Sequence, residues 1–537
     1  MTNENNIIVG IDLGTTYSAI AYVDEHGDAK IIPNSQSERI TPSVVLFEEA
    51  ENQTVVGQTA KDQSEYMPEK AVAFVKREMG KKKDDVRSVD NKGVPKPYDF
   101  WGKRLSPEEV SAFIIKKLKE DAEKNLGGIR IKDAVITVPA YFIDSERQAT
   151  KDAGKMAGLN VLHIMNEPTA AALSYGILKA DKPQTVFVFD LGGGTFDVTI
   201  LKIEMIGDEK EIRMIQTNGD HRLGGKDWDD RIIEYCSKQF QMEYGLDPLE
   251  DIDAKADLRQ RSERAKKELS YATRETTKII INAHGKKLGV DLTRKEFENL
   301  TSDLLERCND CCKLVLEEAK LNWNQIDTVL LAGGATRMPM VLEMLKRISG
   351  KELHPELVNP DECVALGAAI QAKILGIRGD IEKGFAPSQE LMDKIGKVKV
   401  RDVTSHKLGI VAIREGKEIV SEIITKGTPV PCAITKRYQT IDDYQPNVLL
   451  EIKEGESEDP ALVPTIQEAT LPIVKSMPAG APIDVTFEYS ADGMLVVIGK
   501  DITNNKDIRV EIKREGNLTR EEVEQGTAFA NKIAVTG

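Results

Sequence analysis

The sequence predicts a two-lobed α/β domain followed by an all-β sandwich and a short final helix. Three observations lead there. A turn of the type Asp-Leu-Gly-…-Thr between apolar runs occurs twice, at Ile11–Thr16 and Asp190–Asp197. Apolar runs alternate with long amphipathic stretches up to Gly376. After Val398 the pattern changes to short alternating runs separated by turn residues. At 537 residues the chain exceeds one core, because cores stop growing near roughly 250–300 residues.

In chain order, Ile7–Ile11 and Tyr17–Val23 read as strand, tight turn and strand. Ile131–Pro139 reads as a strand before a turn and a helix. Val186–Asp190 with Phe196–Ile203 repeats the hairpin, and Ile326–Gly334 repeats the strand before a turn and helix. The order hairpin, strand-helix, hairpin, strand-helix predicts two related lobes over residues 1–376, with a ligand cleft between them. Residues 377–397 lack a helical or strand period and are polar, which predicts a linker. Residues 398–515 contain the runs Glu418–Thr425, Asn447–Glu454, Ile483–Tyr489 and Met494–Gly499, as a sandwich requires. Residues 516–537 predict a helix, with Asn517 or Thr519 as its N-cap and acids in its first turn.

The composition, 40% hydrophobic and 30% charged, is that of a globular protein. A net charge of -15 without a local basic face argues against a nucleic-acid partner. Met1–Asn6 lacks a basic segment or apolar run, and no later run suits a membrane span. Six unevenly spread cysteines predict free thiols and a reducing compartment, hence a cytoplasmic location. Leu304, Cys308, Cys312 and Val315 have helical spacing, so this cysteine group is expected to face a core.

The repeated turns have the composition of a phosphate clamp. Triphosphate binding needs dense backbone N–H groups, close approach and a divalent cation. Gly14 and Gly192, Gly193 and Gly194 permit the approach, and Thr15, Thr16 and Thr195 add hydroxyls. Asp12, Asp190 and Asp197 suit magnesium with its waters, since magnesium retains several waters and takes few carboxylates. Neither G-x-x-x-x-G-K-[ST] nor a complete G-x-G-x-x-G competes. Glu263, Lys266, Lys267 and Ser270 fall on one face of a predicted helix; on residues alone this is a solvated stripe.

Together, Gly10–Ser18, Val138–Phe142, Asn166–Ala172, Asp190–Asp197 and Gly333–Arg337 resemble the seventy-kilodalton heat-shock chaperones of DnaK type, from about Ile7 to Val523. The resemblance implies an actin-like two-lobed ATPase domain with ATP or ADP and Mg2+, and K+ as a further candidate. It implies that Lys76 orients the attacking water and that Glu167 joins Asp12 and Asp190 near the magnesium, mostly through water. Thr195 and Asp197 then help stabilise the displacement, and the Thr195 position can be autophosphorylated. Gly14–Tyr17 and Gly192–Thr195 would line the phosphates. Glu263, Lys266, Lys267 and Ser270 become the adenosine-facing side, opposed by Gly334, Ala335, Arg337 and Asp361. Lys267 stands where the family often has arginine, which removes planar stacking on adenine.

The second half resembles the family's peptide-binding sandwich through Leu408–Ile410, Gly427–Pro431 and Asp492–Leu495. Its implied pocket positions are Ile410, Tyr438, Val448, Leu450 and Ile483; on residues alone each suits plain core packing. The implied partners are extended polypeptide clients, a J-domain co-chaperone and a nucleotide-exchange factor. The implied function is an ATP-switched chaperone with slow intrinsic hydrolysis; a nucleotide-gated regulatory module with a dedicated protein partner is the alternative. Three features depart from the family pattern. Lys397–Val403 replaces an acidic, leucine-rich linker but alternates as a docking strand does. The lid is expected to be absent or one helix, and the stretch between Lys76 and Ser106 is shorter than usual.

Overall fold

The computed structural model describes residues 7–537 except 49–51, 65, 87, 90–94, 180–181, 208, 355–357, 384–386, 474–476, 492 and 512–517. Asp492, Asn517 and part of the stretch between Lys76 and Ser106 therefore lie outside the described residues.

The repeat in the sequence is a repeat in space. In lobe I the sheet order is Asn160–Asn166, Asp133–Val138, Ile8–Asp12, Tyr17–Val23, Ala29–Ile31. The first three strands are parallel, and the hairpin Ile8–Asp12/Tyr17–Val23 is antiparallel. Lobe II runs Thr328–Ala332, Gln184–Leu191, Phe196–Ile206, Glu209–Asp220, Val398–Arg401. Its hairpin pairs Asp190 with Asp197, while Asp190 also aligns with Ala332 on the parallel neighbour. These strands are rich in Val, Ile and Phe and bury both faces, as a helix-covered sheet demands.

The two lobes share a core at the base of the cleft. Helix Cys363–Glu382 lies against helix Glu167–Lys179 and the first strand. A Cβ at Gly367 would lie 1.8 Å from Ala170 O, and one at Gly10 would lie 2.0 Å from Ala369 N. Glycine at these crossings is therefore a packing requirement.

The interdomain segment departs from the expected division. Helix Cys363–Glu382 runs past Gly376, and Gln389–Leu391 and Met392–Gly396 form further helical turns. Leu391 and Ile395 are buried in the interlobe core, so tertiary contact supplies the order that local periodicity lacked. Val398–Arg401 then joins the edge of the lobe II sheet instead of the sandwich. The sandwich's own strands begin at Leu408. One sheet orders Lys417–Ile424, Leu408–Arg414, Asn447–Glu454, Thr465–Pro472; the other orders Cys432–Gln439, Pro482–Tyr489, Leu495–Asp501, Lys506–Glu511. Pro482–Tyr489 alternates buried and half-buried positions along its whole length.

Thr519 caps the final helix Arg520–Lys532 in a reciprocal box: Glu522 N donates to Thr519 Oγ1 at 3.2 Å, and Thr519 N to Glu522 Oε2 at 2.8 Å. Beyond the helix, Ala534–Thr536 forms a strand parallel to Gln53–Val56 in lobe I. The expectation of a helix alone is thereby corrected. A three-residue edge strand has too short a pattern to be read locally. Cys308 and Cys312 face the lobe II core with Leu304 and Val315, and all six cysteines are free.

Candidate active site in the interlobe cleft

Each hairpin ends in a turn held by its own hydrogen bonds. Gly14 N donates to Ser18 Oγ at 3.1 Å, and Ser43 Oγ donates to Gly14 O at 2.8 Å. Gly192 N donates to Thr195 O at 3.0 Å, while Gly225 and Lys226 N–H groups bond Gly192 O and Gly193 O at 2.9 Å each. The turns touch across the cleft. A Cβ at Gly193 would lie 1.8 Å from Thr16 Oγ1, and one at Gly194 2.4 Å from Thr15 Cγ2. Arg77 closes the same junction, donating to Gly194 O at 2.7 Å and Asp227 at 3.1 Å.

Below the turns lies a buried charge cluster. Lys76 sits in the 3-10 turn Val75–Glu78, entered through Phe74 at φ 58°. Its ammonium is ion-paired with Glu167, the first residue of helix Glu167–Lys179. Burial works against the Lys76 charge, yet Glu167, Asp12 and Asp190 hold its affinity for the proton above the usual lysine range. Burial, then Glu167, pushes the Asp12 carboxyl up to about 7, against Lys76 and a Thr137 hydrogen bond of 3.3 Å. Burial with Glu167 raises Asp190 and Asp197 well above the carboxylate range. Thr15 Oγ1, Thr16 Oγ1 and Asp197 Oδ1 are buried without a hydrogen-bond partner in the protein. Such orphaned groups mark a place where a ligand completes the network.

This donor set fits magnesium and phosphate. All its ligating atoms are hard oxygens, and the cluster's carboxylates outnumber its lysine. Among the described residues no three acidic, histidine or cysteine side chains converge as a direct cage. Asp12, Asp190 and Glu167 thus suit a metal that keeps most of its waters.

The side predicted to face adenosine divides in two. Lys266 Nζ donates to Gly225 O at 2.7 Å and pairs with Asp229 at 2.8 Å. A Cβ at Gly225 would stand 3.4 Å from Ala335 Cβ, so the helix, the Gly224–Gly225 turn and Gly334–Arg337 converge. Arg337 pairs with Asp361 at 2.7 Å, beside Gly334. Glu263 and Lys267 instead join Tyr17 and Lys61. Glu263 pairs with Lys61 at 2.7 Å and Lys267 at 2.8 Å, and Lys61 donates to Tyr17 OH at 2.9 Å. Despite burial, these two lysines bring the Glu263 carboxyl down to about 2. Ser270 Oγ bonds Lys266 O of its own helix at 2.8 Å. Lys61, Arg77, Thr137 and Asp229 went unread in the sequence; their partners lie far along the chain, so no local pattern marks them.

In the sandwich, Ile410, Leu450 and Ile483 are buried in one core, with Tyr438 and Val448 partly buried against it. Tyr438 OH bonds Ser421 Oγ at 3.1 Å. Val448 and Leu450 flank the exposed Leu449, placing the first two on one strand face.

The sandwich is docked on the two lobes. Val398–Arg401 pairs in parallel with Lys210–Arg213, and Arg401 meets Glu211 at 3.1 Å. Thr169 Oγ1 donates to buried Asp402 at 2.7 Å, His406 Nε2 contacts Tyr141 O at 2.8 Å, and Leu495 N donates to Asp144 at 3.1 Å. Lys426 reaches Glu318 of lobe II at 2.8 Å.

Comparison with known proteins agrees with this architecture. The family described as Hsp70 protein matches residues 8–536. Chaperone protein DnaK of Stenotrophomonas maltophilia (strain R551-3) is 39% identical over 542 residues, covering 97% of this chain and 81% of that protein. With two lobes meeting at paired hairpin turns and a sandwich docked through a linker strand, this chain belongs to the Hsp70 family of ATP-dependent molecular chaperones.

Proposed function

We propose that the cleft hydrolyses ATP through Lys76 and its surrounding carboxylates, and that the reaction switches the sandwich between tight and loose binding of extended polypeptides. In this reading the two turns Gly14–Tyr17 and Gly192–Thr195 line the phosphates, with the N–H groups of Thr15, Thr16, Gly193 and Gly194 as donors, since those of Gly14 and Gly192 are taken up within the turns. Glu167 fixes the Lys76 ammonium at the γ-phosphate, where it orients the attacking water. The free Oδ1 of Asp197 accepts a hydrogen bond from that water. Thr195 lies at the same turn, a position suited to phosphate contact and to autophosphorylation. Asp12, Asp190 and Glu167 would hold magnesium mostly through its waters, and the ion would offset the charge of the triphosphate. Lys266, Ser270, Gly334, Ala335, Arg337 and Asp361 border the nucleoside, and Tyr17, Glu263 and Lys267 close the mouth.

One observation carries the coupling. The strand bearing Asp197 pairs with Glu209–Asp220, which pairs with Val398–Arg401. The catalytic turn and the linker are thus members of one hydrogen-bonded sheet. We assign residues through Glu382 to the ATPase lobes, the following segment through Arg401 to the docking connector, and residues from Leu408 to the client domain. Ile410, Tyr438, Val448, Leu450 and Ile483 are the proposed client contacts, opened when the sandwich undocks. A J-domain protein and an exchange factor are the proposed regulators, K+ is a proposed second ion, and the free cysteines favour a cytoplasmic setting.

The test is the dissociation rate of a fluorescent unstructured peptide, measured with ADP and with ATP. Acceleration by ATP, lost in Lys76→Ala only at the hydrolysis step, is the expected result. Failure to bind any unrelated peptide would favour a module with one dedicated partner.

A further inference from the structure

We propose that Arg77 is a positioning residue through which closure of the two lobes sets Lys76 for hydrolysis, a proposal that rests on the role given to Lys76 above. Arg77 need not touch the nucleotide to do this; it holds the turn that carries Lys76.

By its packing, the turn Val75–Glu78 belongs to lobe I. Val75 and Met79 are buried in the lobe I core, while Arg77 N and Met79 N donate to Phe74 O at 3.0 Å and Lys76 O at 3.4 Å. These contacts alone hold it weakly, because a four-residue 3-10 turn has few and poorly aligned hydrogen bonds. The turn is also entered through Phe74 at φ 58°. A bulky side chain keeps that left-handed conformation only where its surroundings over-determine it.

The remaining support comes from lobe II. Arg77 Nε donates to Gly194 O of the second phosphate turn at 2.7 Å, and Arg77 Nη2 donates to Asp227 Oδ2 at 3.1 Å. The same Asp227 oxygen accepts from Gly224 N at 2.8 Å, at the start of helix Gly225–Tyr244. The N–H groups of Gly225 and Lys226 in turn brace Gly192 O and Gly193 O. Lys226 Nζ lies 5.8 Å from the centroid of the Phe74 ring. Phe74 and Arg77, on either side of Lys76, are thus both gripped by one helix start and the phosphate turn that it braces. The Arg77 and Asp227 side chains are 18% and 23% exposed. One planar guanidinium serves two acceptors in fixed directions there, which a lysine cannot reproduce.

Lys76 and Arg77 are consecutive, so the backbone that presents the ammonium cannot shift without disturbing the Arg77 contacts. When the lobes part, Gly194 and Asp227 leave with lobe II and the strained turn loses its support. Lys76 then moves from its place at the γ-phosphate, and a displacement of about 1 Å in such a group costs on the order of 10²-fold in rate. Hydrolysis is thereby confined to the closed cleft.

The test is single-turnover ATP hydrolysis by the full chain in a double-variant cycle. Arg77→Ala should slow hydrolysis at least tenfold, while the Kd for ATP, read by calorimetry, rises no more than threefold. In the Lys76→Ala background the same change should alter the residual rate less than twofold, because the group through which Arg77 acts is gone. Arg77→Lys should recover only part of the rate. Asp227→Asn, which keeps an oxygen for the helix start, should lose several-fold with an unchanged melting temperature and guards against a folding defect in Arg77→Ala. An equal loss in both backgrounds, a loss confined to affinity, or unchanged hydrolysis in Arg77→Ala and Asp227→Asn would each overturn the proposal and leave the role of Lys76 standing. A normal rate in Lys76→Ala would instead overturn that role and the proposal with it.

Discussion

Lys76 is 4% exposed and its ammonium faces Glu167 with Asp12 and Asp190 nearby. Removing it subtracts a preorganised charge from a buried site, a change that typically costs about 10²–10³-fold in turnover. Lys76→Ala should therefore lose hydrolysis by that order in single-turnover assays while nucleotide titration still shows binding. It also leaves Glu167 buried without its partner, so Glu167→Gln should recover part of the accompanying loss of thermal stability. Gly193 tests the clamp differently. A methyl there meets Thr16 Oγ1 at 1.8 Å, so Gly193→Ala must push the two turns apart. The expected result is a nucleotide affinity lowered about tenfold or more, read by calorimetry, with the melting temperature of the sandwich unmoved. Asp12, Asp190, Gly14 and Gly192–Gly194 were legible in the sequence because their spacing is a local property of a repeated turn. Arg77 and Lys61 were not, because their roles come from partners on the opposite lobe.

Among the elements, the linker strand shows how pattern and charge divide their effects. The alternation of Lys397–Val403 predicts a docking strand, and Val398 is buried with Val400, on the same strand face, partly buried against the same core. The altered sign of charge matches its receptor: Arg401 lies against Glu211, itself 5% exposed. Arg401→Glu would place like charges at this contact and should loosen docking by several-fold. The measurement is the ratio of peptide release rates with ATP and with ADP, expected to fall toward one while ATP binding persists. The final helix was legible from its cap and first-turn acids, whereas Ala534–Thr536 acquires strand structure only because Gln53–Val56 offers an edge.

In the whole molecule, the interface between the sandwich and lobe I carries a pH dependence. Glu454 and Glu146 are each pushed up to about 7, in both cases chiefly by burial. Asp144 raises Glu454 further, while His406 and Arg147 oppose the shift. His406 is itself held above its usual range, against burial, by Glu456 and Glu454. A carboxyl whose docked value is raised favours docking when protonated. Its contribution is full below the ordinary value near 4.5 and is lost as pH rises through about 7. The raised His406 acts in the same direction, contributing below its ordinary value and less above it. Glu456, lowered by His406 against burial, stays ionised throughout this window. Docking should therefore weaken between pH 5 and about pH 8, read as an increase in radius of gyration by X-ray scattering, and Glu454→Gln should flatten the profile.

The sequence by itself determined the duplicated hairpins, their glycine- and threonine-bearing turns and the change from α/β to all-β architecture. Each is written in spacing and residue type over a few consecutive positions. Only the tertiary structure decided that helix Cys363–Glu382 passes Gly376, that Val398–Arg401 belongs to the lobe II sheet, and that Ala534–Thr536 returns to lobe I. These outcomes depend on burial and on free strand edges supplied by residues far away in the chain. A local pattern can specify which face is apolar, but not the surface that covers it.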